Sequence, residues 1–176
     1  PCVVDDDSCG FTPAYNEKEL FVNFVSEFRK QLGNSTLLSL ATSAEFQKID
    51  ALDFQRLNQL VDIYNIMTYD LTSGSWGDTY TGHHAQPKIN VDDPLYYRKK
   101  KAGDLAAKYF VKKGAKPEKI NLGVAFYGRG FKISPNNKND GPFFLSLGEL
   151  NFGTWEKGII EYYEIKNNFS LPQKIK

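Results

Sequence analysis

The chain has 176 residues, with 22 basic against 21 acidic side chains and a formal charge of +1. That balance supplies no long-range field to hold nucleic acid or an anionic membrane surface, so neutral partners are favoured. Hydrophobic residues, at 41%, suffice for a core, but no apolar run approaches the ~20 residues of a membrane-spanning helix.

Residues 1–15 show no hydrophobic period and read as a loop. The triplet Asp5-Asp6-Asp7 lacks the spaced oxygen ligands, glycine and distal glutamate of a calcium loop, so a solvated loop is expected there. Cys2 and Cys9, the chain's 2 cysteines, are too few for a disulfide scaffold but could pair locally in an oxidising compartment. Asn16, with Glu19 three residues on, has the form of a capping box. Leu20, Phe21, Phe24, Val25, Phe28 and Leu32 then fall on one helical stripe, which Gly33 closes. Residues 37–42 read as a short buried strand, and Phe54, Leu57 and Leu60 mark a short helix.

Residues 61–70, Val-Asp-Ile-Tyr-Asn-Ile-Met-Thr-Tyr-Asp, are rich in β-branched and aromatic residues. They stop at a polar, glycine-containing segment over 71–82, the pattern of a buried strand running into a long loop. A side-chain period of two puts Asn65, Met67 and Tyr69 on one face, with Asp70 just past the strand, so a thioether, a phenol and a carboxylate can converge there. Spacing alone also allows a core strand with an ordinary acidic cap.

A helix is expected over 95–113, with Pro94 near its start and Gly114 past its end. Lys99-Lys100-Lys101 would point in different directions on it and form its solvated face rather than a phosphate-binding patch. A strand over 120–126 follows, with Gly123, Ala125 and Tyr127 on one face and Arg129 beyond. Residues 134–176 are rich in Asn, Gly and Pro before Trp155 and Tyr162-Tyr163, and carry little signal of their own. The alternation of helix and strand places the chain in the α/β class, with parallel strands joined by right-handed helical crossovers.

Three further features bear on chemistry. Adjacent His83 and His84 cannot easily aim both imidazoles at one ion, so a loop-structuring role is expected and no metal. Gly128-Arg129-Gly130 lacks the third glycine of a dinucleotide fingerprint, Ile133 standing in that place, so no nicotinamide cofactor is expected. The 10 Tyr and 13 Phe offer faces on which sugars can stack, although core packing claims most of them.

Met67-Thr68-Tyr69-Asp70, followed by Gly74-Ser75-Trp76 and Thr81-Gly82-His83, resembles the sixth-strand motif of family 18 glycoside hydrolases, the chitinases and their lectin relatives. Residues 120–131, Ile-Asn-Leu-Gly-Val-Ala-Phe-Tyr-Gly-Arg-Gly-Phe, are similar to that family's seventh strand. The resemblance implies a partial TIM (β/α)8 barrel, covering roughly strands five to seven over residues 1–133, with the start of a small α+β insertion domain over 134–176. A complete barrel typically needs ~250 residues, and the chain starts at Pro1 without a leader pattern, so it is expected to be a piece whose upstream and downstream strands lie elsewhere.

By the same resemblance the substrate is chitin or its oligosaccharides, and the location is extracellular. The sequons Asn34-Ser35-Thr36 and Asn168-Phe169-Ser170 are compatible with secretion. The implied chemistry is retaining, with the substrate's own N-acetyl oxygen as nucleophile. Tyr69 would hydrogen-bond that N-acetyl group, Asp70 would accept from the sugar beside the scissile bond, and Met67 would provide a soft apolar wall. Tyr127 and Arg129 match a pair that contacts sugar hydroxyls and orders pocket carboxylates. Trp76 aligns with a sugar-stacking aromatic, its alternative being a buried anchor for the loop. His84 stands where the family usually has Asn, a departure expected to affect loop hydrogen bonding more than chemistry. The family's fourth-strand Asp-x-x-Asp-x-Asp-x-Glu, whose Glu is the general acid, occurs nowhere in the chain. Asp50-x-x-Asp53 continues into Gln55 and Leu57, so the acid is expected upstream. A chitinase, a chitin-oligosaccharide-binding lectin without the acid, and an inactive truncated product therefore stay open.

Overall fold

The computed structural model describes residues 15–136 and 142–168; Cys2, Cys9 and Asp5-Asp6-Asp7 lie outside them. Two compact units are formed, one by residues up to Thr68 with Lys101–Gly123, the other by Tyr69–Lys100 with the residues from Val124 onward.

The first unit is α/β, as the alternation of elements predicts. Helix α1 (Glu17–Leu32) leads to strand β1 (Ser39–Ser43), helices α2 (Phe46–Asp50) and α3 (Phe54–Leu60), strand β2 (Ile63–Met67), helix α4 (Gly103–Lys112) and strand β3 (Ile120–Leu122). The three strands form a parallel sheet with β2 in the middle, Leu40 beside Tyr64 and Tyr64 beside Ile120. Alternation along β2 sends Tyr64 and Ile66 into the core, while Met67, at the C-terminal end, remains 38% exposed. Phe54 and Leu57 of α3 and Ala106 and Phe110 of α4, at helical spacing, supply the other side of that core. The Phe54 ring meets Tyr64 and Phe110 edge-on, with centroids 5.5 and 5.1 Å away. Burial pushes the Tyr64 hydroxyl far above its ordinary titration range.

Local chemistry sets the ends of these elements. Asp53 caps α3 by accepting from the Arg56 N–H, and Gly33 ends α1 with a positive φ of 70° that a side chain would resist. Arg29 of α1 donates to the Leu60 carbonyl at 2.8 Å and pairs with Asp62 at 2.5 Å, tying α1 to the entrance of β2.

Several boundaries differ from expectation. Asn16 makes no side-chain cap on α1, and the helix buries Val22 and Val25, leaving Leu20, Phe24, Phe28 and Leu32 over 40% exposed. The strand read over 37–42 is Ser39–Ser43, with Leu37 outside it and exposed. The strand read over 61–70 ends at Met67, so Tyr69 and Asp70 belong to the following segment. The helix read over 95–113 begins at Gly103, because residues Tyr96–Lys100 form a 3-10 turn whose Arg98 is drawn into a buried network. The lysine run therefore lies on that turn and its exit; Lys101 pairs with Glu45 at 3.6 Å. The strand read over 120–126 stops at Leu122, leaving Val124 and Phe126 exposed.

The second unit contains two antiparallel pairs. Strand β4 (Tyr127–Arg129) pairs with β7 (Ile159–Glu161), and β5 (Phe131–Ile133) pairs with β6 (Ser146–Glu149); helix α5 (Tyr162–Asn168) follows β7. Its loop over 71–100 is built around Arg98, only 2% exposed. The guanidinium pairs with Asp93 at 2.9 Å and donates to the Thr72 hydroxyl and to the carbonyls of Tyr80 and Thr81. Gly82 is required beside it, since a Cβ there would run into the Arg98 guanidinium.

Candidate functional site

Asp70 is the only non-glycine with positive φ, 57°, among the described residues. For an L-residue the left-handed region costs roughly 1–2 kcal/mol, so surrounding contacts must hold it. Three groups do so. The Asp70 carboxylate accepts from the Tyr127 hydroxyl at 2.7 Å and from Arg129 Nε at 2.6 Å, while the Asp70 N–H donates to His84 Nδ1 at 3.4 Å.

Tyr127 and Arg129 meet the same carboxylate because they are two apart on β4 and project from one face. Pairing with β7 fixes that face, Tyr127 opposite Glu161 and Arg129 opposite Ile159. The sequence run 120–131 is thus divided between the parallel strand Ile120–Leu122 and strand β4, which pairs antiparallel with β7. Tyr127 and Arg129, expected at the end of the parallel strand and just beyond it, stand instead on β4.

The aromatic residues close around the ion pair. The guanidinium carbon of Arg129 lies 4.8 Å from the Trp76 ring centroid, a cation–π contact, and the Tyr69 ring meets Tyr127 edge-on at 6.2 Å. Trp76 is 55% exposed on the turn Gly74–Trp76, so it is no buried anchor. His84, whose ring tilts against Tyr127 at 5.2 Å, also reaches the Tyr127 carbonyl through Nε2 at 3.1 Å. Tyr69, Asp70, Trp76, Tyr127 and Arg129 are therefore gathered in the second unit, whereas Met67 ends β2 in the first.

The electrostatics follow from this geometry. Burial pushes the Asp70 carboxyl upward, but the Arg129 guanidinium and Tyr127 hydroxyl outweigh it and hold the group below its ordinary 3.8. Burial and the neighbouring carboxylate both push the Tyr127 hydroxyl up, so it stays a neutral donor. The Arg129 cation is strengthened by Asp70. Burial lowers His84 from its ordinary 6.5, against the opposing pull of the Tyr127 carbonyl and Asp70. Among the described residues no group of three or more His, Cys, Asp or Glu is placed to hold a metal ion.

A cavity of about 720 Å³ opens beside the cluster, lined by residues 82–91 with Gly128 and Arg129. Of the side chains singled out as sugar contacts only Arg129 lines it; Tyr69, Asp70 and Tyr127 do not. The sequence marks His84 only as a loop histidine. Its part in the cluster was hidden because its partners lie 14 and 43 positions away.

The family model of glycosyl hydrolases family 18 matches residues 8–176. Chitinase 63 of Streptomyces plicatus is 31% identical over 92% of this chain and 25% of its own length. The oviduct-specific glycoprotein of Sus scrofa is 33% identical over 84% of the chain and 27% of its own. The chain thus spans about a quarter of the length of these curated relatives. Among solved structures, Ostrinia furnacalis Group II chitinase catalytic domain 2, in complex with penta-N-acetylchitooctaose, (NAG)5, matches with a TM-score of 0.78 and 28% identity. That match covers 90% of this chain and 41% of that one. The catalytic domain of psychrophilic chitinase B from Arthrobacter TAD20 matches at 0.75 with 29% identity, over 89% of this chain and 37% of that one. The succession of parallel strands and helices in the first unit is accordingly part of an eight-stranded β/α barrel, and the chain belongs to the glycosyl hydrolases family 18.

Proposed function

We propose that this chain is the segment of a chitinase-like glycoside hydrolase that contributes one wall of a site for β-1,4-linked N-acetylglucosamine polymers. The observation that carries the reading is the Asp70 carboxylate held by both Tyr127 and Arg129, on the two segments that match the family's motifs. A carboxylate fixed through Oδ1 in this way leaves Oδ2 without a hydrogen bond among the described residues and able to accept from sugar donors. The chitooligosaccharide complex of the Ostrinia furnacalis domain supports the substrate class. Residues 134–176 are the start of the small α+β insertion in this reading, and the parent protein is secreted.

The bond cleavage follows from substrate-assisted chemistry. The N-acetyl carbonyl oxygen attacks the anomeric carbon, the glycosidic C–O bond breaks, and the leaving oxygen takes a proton from a general acid. Water then opens the bicyclic oxazolinium with overall retention. Tyr69 hydrogen-bonds the N-acetyl group in the geometry for attack, and Asp70 accepts from the sugar at the scissile bond. Tyr127 and Arg129 hold Asp70 and reach sugar hydroxyls, and Trp76 stacks a sugar on the leaving-group side. No residue of the chain matches the family's acid, so that glutamate lies upstream. Its absence alone typically costs ~10²–10⁴ in rate, and the isolated segment is inactive.

The test is turnover of a fluorogenic chitobioside by the full-length protein, by its Tyr69→Phe and Asp70→Asn variants, and by the segment alone. Hydrolysis by the full-length protein, large losses in both variants and none by the segment are expected. Binding without turnover would favour the lectin reading, and full activity in both variants would remove the roles given to Tyr69 and Asp70.

A further inference from the structure

His84 makes two hydrogen bonds that only one protonation state satisfies. Its Nδ1 lies 3.4 Å from the Asp70 backbone N–H, which can only donate, so Nδ1 must be unprotonated. Its Nε2 lies 3.1 Å from the Tyr127 carbonyl, which can only accept, so Nε2 must carry the proton. The neutral Nε2–H tautomer fits both. The Asp70 N–H it accepts belongs to the residue whose backbone is left-handed. The Tyr127 carbonyl it binds belongs to the residue whose hydroxyl reaches the Asp70 carboxylate. The imidazole therefore spans the two segments from which the carboxylate and the phenol project.

We propose that His84 is a positioning residue of the site: as the neutral Nε2–H imidazole it clamps the Asp70 backbone to the Tyr127 backbone, and so holds the Asp70 carboxylate where Tyr127 and Arg129 can both reach it. This rests on the reading of Asp70 and Tyr127 as substrate-contacting groups. The groups facing the ring are Asp70 from the segment after β2 and Tyr127 and Arg129 from β4; the neighbouring His83 is exposed, its own ring against Phe143. Protonation would turn Nδ1 into a donor aimed at another donor. It would also set a new cation 3.6 Å from the Asp70 carboxylate oxygen that Tyr127 and Arg129 already share. Both effects pull Asp70 from its place. Burial lowers the affinity of His84 for that proton, so the clamp is intact at neutral pH and fails on the acid side.

The test has two arms on the full-length protein. Histidine nitrogen-15 spectra should show His84 as the neutral Nε2–H tautomer at neutral pH, taking up a proton only below 6.5. The Asp70 amide signal should move with the same titration. A charged His84 or the Nδ1–H tautomer at neutral pH would overturn the proposal. In the second arm kcat/KM on a chitooligosaccharide is followed against pH for wild type, His84→Asn and His84→Ala. Asn sets its Oδ1 near the place of Nδ1 without titrating but falls short of the reach of Nε2, so it should keep the Asp70 contact, show an activity between those of wild type and His84→Ala, and lose the part of the acid decline that His84 causes. Ala should lose up to ~10²-fold at every pH, as misplacement of a reacting group does, chiefly in kcat. An Ala variant equal to wild type, or an Asn variant as impaired as Ala, would overturn the clamp. A wild-type protein with no turnover would sink the proposed function alone, since the tautomer and the Asp70 amide still decide the role of His84.

Discussion

Arg129 Nε lies 2.6 Å from Asp70 Oδ1 while its guanidinium carbon lies over the Trp76 ring, 4.8 Å from the centroid, so one side chain connects a carboxylate to an exposed aromatic. A lysine can supply the charge but not a fixed N–H donor to the carboxylate together with a delocalised cation over the ring. Arg129→Lys should therefore retain the fold and weaken chitooligosaccharide binding, with the Asp70 carboxyl rising toward its ordinary 3.8. Arg129→Met should raise it further and destabilise the protein by on the order of 1–2 kcal/mol, because the partner carboxylate is partly exposed and water screens what remains. Carboxyl NMR of Asp70 in the three proteins checks this, and an unmoved Asp70 titration in both variants would contradict it.

Stability should fall in two steps on the acid side. An unfolded His84 takes its proton near the ordinary 6.5, before the folded one does, so the unfolded state gains as pH drops below that value. The Asp70 carboxylate contributes fully above 3.8 and its contribution is lost as pH falls through the lower folded value. Urea midpoints of the full-length protein measured against pH should decline first below 6.5, and His84→Asn should remove that first decline alone. A midpoint that declines equally in both proteins over the first step would show that other groups cause it.

Arg98 is the anchor of the loop that carries Trp76 and His84, and its charge is paired inside the protein. Replacing it by Met leaves Asp93 buried without its partner and the Tyr80 and Thr81 carbonyls without their donor. Such a change costs about 3–5 kcal/mol. Gly82→Ala should produce a milder version of the same loss by displacing the guanidinium. Thermal unfolding of the two variants measures it, and wild-type stability in Arg98→Met would show that the loop is held by other contacts.

What the sequence revealed depended on whether the partners were local. Helix α1 and its stop at Gly33 were legible from a 3.6-residue period and a left-handed glycine, both local properties. Which part of its apolar surface would be covered was not: Val22 and Val25 went inside while Phe24 and Phe28 stayed out, their rings tilted against each other with centroids 4.8 Å apart. The helix expected over 95–113 is longer than the one formed because nothing local to Arg98 marks it as a buried residue. Its partners Thr72 and Tyr80 are 26 and 18 positions back. The strand expected over 120–126 is longer than the one formed for a related reason, since apolar Val124 and Phe126 suggest a burial that the structure does not give them. The grouping of Tyr69, Asp70, Tyr127 and Arg129 was legible through motif resemblance, and His84 was not, because nothing in a pair of adjacent histidines says which backbone groups they will meet.

The central claim is that the carboxylate organised by Tyr127 and Arg129 receives an N-acetylglucosamine chain. The most direct measurement is a crystal structure of the full-length protein, with Asp70 intact and hydrolysis slowed by low temperature, soaked in a chitooligosaccharide. The account places one sugar with a donor on the free oxygen of Asp70, its N-acetyl group within hydrogen-bond distance of the Tyr69 hydroxyl, and a neighbouring sugar face on Trp76. An oligosaccharide bound elsewhere, with Asp70, Tyr69 and Trp76 untouched, would contradict it.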